Sequence, residues 1–425
     1  METTEVFEEW TAYAKKKALL PREIDFKPII SNSTSKIVSI TGIRRCGKSS
    51  LLMLIAQKLD KEGKKVAYVN LEDSRIKENK GILDDILKWF GEDGFLFLDE
   101  ITSAYDWEGW LARNHEFLKG RLHFIVSSSR KGLVMPSKPL RGRILPFELF
   151  TLSFSEFLSF KGIAIEKTVV GRGRLESAFS GYLKFGGFPE VVLAKEDIDK
   201  ARILNSYFKD IVGLDIAEVA QEGVGEVDAF GKYALQSPYF SASKCLNFLK
   251  TLGYKIGKEK ILRLEKLAEA GYLFFFVPIF SYSSKDISQY PRKAYPGDTG
   301  FSYAINGKID HGRQYEILAY LELRRRLQAQ KKVCYWKNKE GNEVDLIITD
   351  GSRTIEAFQV VYDMSDEKTI KRELKGISEC AKELKLTQPI ILTRDVSGTR
   401  IVEGRKIRLI PLMDWMLGKS QSSFM

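Results

Sequence analysis

Two kinds of hydrophobic pattern alternate along the first 150 residues. Ile37-Val38-Ser39-Ile40, residues 65–71 (KVAYVNL), Phe95-Leu96-Phe97-Leu98 and His123-Phe124-Ile125-Val126 are short apolar runs, rich in β-branched and aromatic residues. Runs of this length predict buried strands. Between them lie stretches with helical spacing, the first opening at Leu51-Leu52-Met53-Leu54-Ile55-Ala56. Strands alternating with helices predict a parallel sheet covered by helices on both faces. Beyond residue 230 the pattern changes. Residues 241–250 and 258–270 have helical periodicity, the second with Ile261, Leu264, Leu267 and Ala268 on one face. Residues 271–277 form a strand that can pair with Lys293-Ala294-Tyr295 across a loop at 283–292. The last third reads as a helix at 311–324, strands at 333–336, 343–348 and 355–361, a helix at 365–384 and a strand at 389–393.

The chain has 425 residues, 44% hydrophobic and 29% charged, a composition of folded protein rather than of a disordered or fibrous chain. No apolar run reaches the roughly 18 residues that a membrane helix requires; the strongest, residues 273–280 (LFFFVPIF), has the length of a buried strand. The opening METTEVFEEW is acidic where a signal peptide is basic, so the expected location is the cytoplasm, with no membrane partner. Four scattered cysteines without a C-x-x-C pair, and three histidines, support neither a disulfide framework nor a zinc site.

Candidate chemistry begins after the first strand. Gly42-Ile43-Arg44-Arg45-Cys46-Gly47-Lys48-Ser49 matches G-x-x-x-x-G-K-[ST] and is followed by Ser50 and a helix. Glycines let the backbone turn so that its N–H groups converge on phosphate oxygens at a helix N-terminus. Lys48 is placed to reach the β- and γ-phosphates of ATP, and the Ser49 hydroxyl to ligate Mg²⁺. About fifty residues later, Phe95-Leu96-Phe97-Leu98-Asp99-Glu100 is a strand ending in two acids, the Walker B pattern. Asp99 is expected on the Mg²⁺ shell and Glu100 as the group that orients or deprotonates the attacking water. Ser127, at the tip of the next strand, is either a sensor of the γ-phosphate or part of a plain polar turn.

GIRRCGKSS, YVNLEDSRI, FLFLDEI, FIVSSSRKGL and LRGRILPFELFTLSFSEFL occur in the order found in archaeal and bacterial AAA+-like ATPases with an accessory C-terminal module. The chain resembles that family. The resemblance implies a P-loop ATPase core and places Leu140-Arg141-Gly142-Arg143 at its close, where Arg141 or Arg143 either supplies charge to the γ-phosphate, in cis or from a neighbouring subunit, or is merely solvated. Such relatives often form rings, which makes a homo-oligomer an expectation. Ser127-Ser128-Ser129 stands where the family usually has Thr-Gly-Ser.

The net charge of +11 is unevenly spread. Residues 151–230 carry 9 basic and 13 acidic residues, and their Tyr182 to Glu190 stretch (YLKFGGFPE) reads as a packed corner. Residues 231–300 carry 11 basic and 5 acidic residues, a net of 11 − 5 = +6. Two helices, a turn and a hairpin in this segment describe a winged helix, with Lys244, Lys255, Lys258, Lys260, Arg263 and Lys266 either facing DNA phosphates or simply solvated.

The final segment is similar to a PD-(D/E)xK nuclease fold. Glu316 on a helix and Asp345 on a strand fit its first two acidic positions, but the acid-x-Lys position falls on Gln359-Val360-Val361, and moving Glu356 into place puts Phe358 where the lysine belongs. An inactive nuclease-like fold is expected rather than an active Mg²⁺ nuclease. The domains expected are an ATPase domain at 1–150, a helical linker or lid at 151–230, a winged helix at 231–305 and the nuclease-like domain at 306–425. The function expected is Mg²⁺-dependent ATP hydrolysis coupled to DNA binding or remodelling, the alternative being a nucleotide-dependent protein switch in signalling or defence.

Overall fold

The computed structural model describes residues 3–129, 138–327 and 331–418, and these divide into two compact units, 1–151 and 152–425. In the first unit, strands β1 (Ile37–Thr41), β2 (Val66–Asn70), β3 (Gly94–Asp99), β4 (Leu122–Ser128) and β5 (Ile144–Glu148) form a parallel sheet in the order β2-β3-β4-β1-β5. The three inner strands are buried almost end to end, as expected where helices cover both faces. Edge strand β5 alternates between half-buried and exposed positions.

The opposite edge is protected in a way the sequence reading did not anticipate. The N-terminal helix Thr3–Lys16 runs along β2, and its Thr11 hydroxyl accepts from the Tyr68 N–H (3.1 Å) and donates to the Tyr68 carbonyl (3.2 Å). A side chain thus satisfies the backbone groups that an edge strand leaves open. Phe7 and Trp10 of this helix pack against Trp89 and Tyr68.

The second unit begins with helices, Phe154–Phe160, Val169–Phe185, Pro189–Leu193 and Asp197–Asp210, continued by a π-helical stretch Ile211–Ala217 and the helix Val224–Gln236. The Gly186-Gly187 corner is packed. A Cβ at Gly186 would lie 1.6 Å from Asp298 Oδ1, and the Gly187 N–H donates to the other Asp298 oxygen at 2.9 Å. Next come β6 (Tyr239–Phe240), the helices Ala242–Thr251 and Lys258–Ala270, β7 (Phe274–Val277) and β8 (Arg292–Pro296), in a small antiparallel sheet ordered β6-β8-β7. A short helix, Ser284–Gln289, occupies the expected loop.

After the helix His311–Arg326, a mixed sheet is built from β9 (Lys331–Lys337), β10 (Glu343–Asp350), β11 (Arg353–Val361), β12 (Ile390–Thr393), β13 (Gly398–Val402) and β14 (Arg405–Pro411), in the order β13-β14-β12-β11-β10-β9. Strands β9 to β11 form an antiparallel meander, whereas β11, β12 and β14 run parallel. Helix Glu367–Glu383 bridges β11 to β12 and buries Ile377, Cys380 and Ala381 against the sheet.

Candidate functional site

The loop after β1 closes on itself through backbone geometry. Gly42 lies so close to β5 that a Cβ there would fall 2.1 Å from the Leu149 carbonyl oxygen. Gly47 (φ 102°) and Arg45 (φ 70°) take the left-handed turns that bring the chain into helix Lys48–Lys61. Gly42 to Ser50 therefore wrap the N-terminus of a 14-residue helix whose first N–H groups point outward. Lys48 is 5% exposed, and its ammonium donates to the carbonyls of Gly42 (3.0 Å) and Ile43 (3.2 Å). The loop is tethered from behind by Arg22, which donates to the Cys46 carbonyl and the Phe150 carbonyl, both at 3.1 Å. Cys46 is buried, its thiol 3.4 Å from the Leu149 carbonyl, and burial pushes that thiol's pKa up.

Parallel strands deliver the acidic side of the site at their carboxyl ends, the edge of an α/β sheet where ligands bind. Asp99 is buried at the end of β3. One of its oxygens accepts from the Tyr68 hydroxyl (2.6 Å) and the other from the Ser127 hydroxyl. Ser49 of the loop neighbours the same phenol and opposes part of the rise in its pKa, so Tyr68 sits between the loop serine and the strand aspartate. Burial, reinforced by Asp99, drives the Tyr68 pKa upward, which keeps the phenol a donor. Glu100 is left-handed (φ 51°), a conformation costing an ordinary residue about 1–2 kcal/mol. The turn brings its N–H onto the Ser127 hydroxyl and its carboxylate onto the Ser129 N–H, both at 3.2 Å. Burial raises the Glu100 pKa, with Lys48 opposing and Asp99 adding to the rise.

Lys48, Ser49, Asp99, Glu100 and Ser127 are thus gathered at one edge of the sheet. Ser127 holds Asp99 and the Glu100 backbone in place, which is a positioning geometry. Tyr68 and Arg22 were not singled out from sequence. Tyr68 sits inside an apolar strand run, and Arg22 lies in a segment with no motif.

Arg141 and Arg143 are not brought to this site. Ile37, the first residue of β1, pairs with Ile144 and its N–H donates to the Arg143 carbonyl at 2.9 Å. Arg143, just before β5, therefore lies beside the start of β1, whose far end leads to Gly42 about 16 Å away at ~3.3 Å per residue. Its guanidinium bonds instead to the Pro139 carbonyl and to Glu116 (3.3 Å), and exposed Arg141 shares its turn. The expectation of a cis contribution is corrected accordingly.

Among the six basic residues expected at a nucleic-acid surface, Lys244, Lys255, Lys258, Arg263 and Lys266 are exposed. Lys260 instead pairs with Glu222 at 2.6 Å, and Arg263 donates to the Val219 carbonyl at 3.4 Å, so both have partners within the unit.

In the mixed sheet, Glu316 and Asp345 do come together. Asp345 is backed by Gln359, whose side-chain oxygen accepts from the Asp345 N–H at 3.1 Å. Glu356 is three residues from Gln359 along β11 and hence on the other face of the sheet, beside Phe358, which packs on Trp415. Glu356 therefore cannot substitute for the missing acid.

A parallel sheet whose strand ends present a glycine loop, a buried Lys, a loop Ser and a strand Asp-Glu pair defines a P-loop ATPase. A family described as AAA domain matches residues 34–158, and one described as Domain of unknown function (DUF4143) matches residues 311–415. The chain is 31% identical over 420 residues to the uncharacterized protein MJ1544 of Methanocaldococcus jannaschii, covering 95% of this chain and 92% of that one. The chain belongs to that family, in which an AAA-type ATPase domain precedes the DUF4143 domain. An uncharacterized protein of Haemophilus influenzae is 24% identical over 94% of this chain and 99% of its own. The Walker-type ATPase PABY2304 of Pyrococcus abyssi is similar in structure, at 15% identity, with a TM-score of 0.41, over 68% of this chain and 99% of that one. Among the described residues, no helix is long and apolar enough to cross a membrane.

Proposed function

We propose that the protein hydrolyses ATP with Mg²⁺ and couples that reaction to DNA binding or remodelling. The observation that carries the nucleotide half is the gathering of Ser49 and Asp99 about Tyr68, whose hydroxyl donates to Asp99 at 2.6 Å at the mouth of the phosphate loop. That donor set suits Mg²⁺, which is commonly held by one or two protein groups plus substrate phosphates. Ser49 and Asp99 would hold the ion, and the bound ion would neutralise charge developing on the phosphates. Residues 42–50 cradle the phosphates, Lys48 faces their charge, and Glu100 takes a proton from water. Tyr68 positions Asp99 on the metal side. Tyr68→Phe is accordingly expected to raise the Mg²⁺ concentration needed for half-maximal ATPase rate by about 10–100-fold, with the rate at saturating Mg²⁺ little changed. A Mg²⁺ titration of phosphate release checks this; an unmoved midpoint removes Tyr68 from the role.

The DNA half rests on the four exposed lysines of residues 244–266. Their helices, with β6 to β8, follow the element order of a winged helix, and we read residues 231–305 as such a module between a helical lid and a nuclease-like fold. Single Lys→Ala changes at Lys244, Lys255, Lys258 or Lys266 are expected to weaken DNA binding and to lower the slope of log K against log salt by about one each. Lys260→Ala, whose charge is paired with Glu222, should leave that slope unchanged. Anisotropy on single-stranded, duplex and branched DNA across a salt series decides it. Binding indifferent to all four lysines, or no binding at low salt, defeats the reading and favours the nucleotide-dependent protein switch. The reading includes a homo-oligomer, because only a second copy can carry Arg141 or Arg143 to a nucleotide.

A further inference from the structure

The three carboxylates nearest the nuclease-like position already hold a cation, and it belongs to the chain. Lys293 of β8 extends into the mixed-sheet segment and is 4% exposed. Its Nζ lies 2.7 Å from Glu316 Oε1, 2.7 Å from Asp345 Oδ1 and 3.0 Å from Glu343 Oε1. The ammonium donates to Glu316 and Asp345 and forms an ion pair with Glu343. Each of those acids also has a further donor. The Tyr295 hydroxyl donates to Glu316, the Tyr239 hydroxyl to Glu343, and the Val360 N–H to Asp345 at 2.9 Å. Lys337 reaches the second Glu343 oxygen at 3.5 Å.

A nuclease of the kind this sheet resembles needs its carboxylates open towards Mg²⁺, which demands oxygen ligands at about 2.0–2.1 Å in octahedral geometry. These residues do not fit that ion. The common point of the three acids is filled by nitrogen, the acid-x-Lys position holds Gln359 and Val361, and among the described residues no cluster of three or more acidic, histidine or cysteine side chains is arranged to hold a metal. Lys293 also lies outside the matched segment 311–415, whereas the three acids lie inside it.

We propose that Lys293 is a built-in cation, occupying the place a divalent metal would require among Glu316, Glu343 and Asp345 and fastening β8 to the mixed sheet. The centre is structural and closed to Mg²⁺. This rests on the nuclease-like reading of the segment but not on the ATPase or DNA readings, and metal binding reports on the cage whichever family the sheet belongs to.

The test is Mn²⁺ titration of the full chain without nucleotide, followed by calorimetry and by the spin-resonance signal of free Mn²⁺. Wild type and Asp345→Asn should be indistinguishable. Lys293→Ala should gain a site at least about tenfold tighter than any in wild type, and the double variant Lys293→Ala/Asp345→Asn should lose it. Mn²⁺ binding, or Mg²⁺-dependent DNA cleavage, that wild type shows and Asp345→Asn lacks would overturn the proposal. So would a Lys293→Ala protein with native circular dichroism that gains no site. If Lys293→Ala does not fold, the wild type and Asp345→Asn comparison decides alone.

Discussion

Lys48→Ala is expected to lower the ATPase kcat/KM by about 100–1000-fold, the range for removing one preorganised charge-stabilising donor from a water-poor site. The ammonium is buried at the mouth of the loop, fixed between the Gly42 and Ile43 carbonyls at 3.0 and 3.2 Å. There a unit charge acts on the transferring phosphoryl group with little screening. Alanine removes that charge and leaves two carbonyls short of a donor, at about 1–3 kcal/mol for a buried group. The variant's melting curve therefore has to be recorded beside its rate. Lys48→Arg separates charge from shape. It keeps the positive charge, but a planar guanidinium does not reproduce a point donor seated between two carbonyls, so its rate should also fall well below wild type. Steady-state phosphate release, with binding of a fluorescent ATP analogue, reads both effects. Undiminished turnover in folded Lys48→Ala protein would remove Lys48 from the site.

The nucleotide site was legible in the sequence because its chemistry is local. A turn into a helix N-terminus needs its glycines, lysine and serine within eight consecutive residues, and a strand that ends in acids shows its own period. What the sequence hid arrives from other elements. Tyr68 reads as one more apolar strand residue, and only the β2–β3 register, which pairs Asn70 with Asp99, sets its hydroxyl beside the carboxylate. Lys293 counted towards a basic surface, yet it is among the most buried charges of its unit. Lys260 is paired with Glu222, which lies outside the segment. A net charge of +6 over residues 231–300 therefore overstates what faces solvent, because charge counting cannot see which cations are already paired. The cis contribution of Arg143, implied by the family resemblance, fails for a topological reason: the order of the motifs says nothing of which end of β1 the start of β5 joins.

Glu100→Gln carries the other large effect. The carboxylate follows Asp99 directly but points elsewhere, because the left-handed turn at φ 51° directs it to the Ser129 N–H while Asp99 is held by Tyr68 and Ser127. The two acids are thereby separated into different tasks. Burial raises the Glu100 pKa above the ordinary carboxylate range, with Lys48 holding it down, and a raised pKa makes a stronger base towards water. The sign for the rate follows. A base must be unprotonated to act, so activity should rise with pH as Glu100 ionises, and that acid limb should lie above the usual carboxylate range. Glutamine preserves size and accepts the same Ser129 hydrogen bond but cannot take a proton. The expected result is a fall in kcat of about 10²–10⁴-fold, ATP-analogue affinity within a few-fold of wild type, and loss of the acid limb. A merely structural Glu100 would give a different profile, a lower melting temperature with the limb intact. A folded Glu100→Gln enzyme that keeps both its kcat and its acid limb would require the proton acceptor to be sought elsewhere along the edge of this sheet.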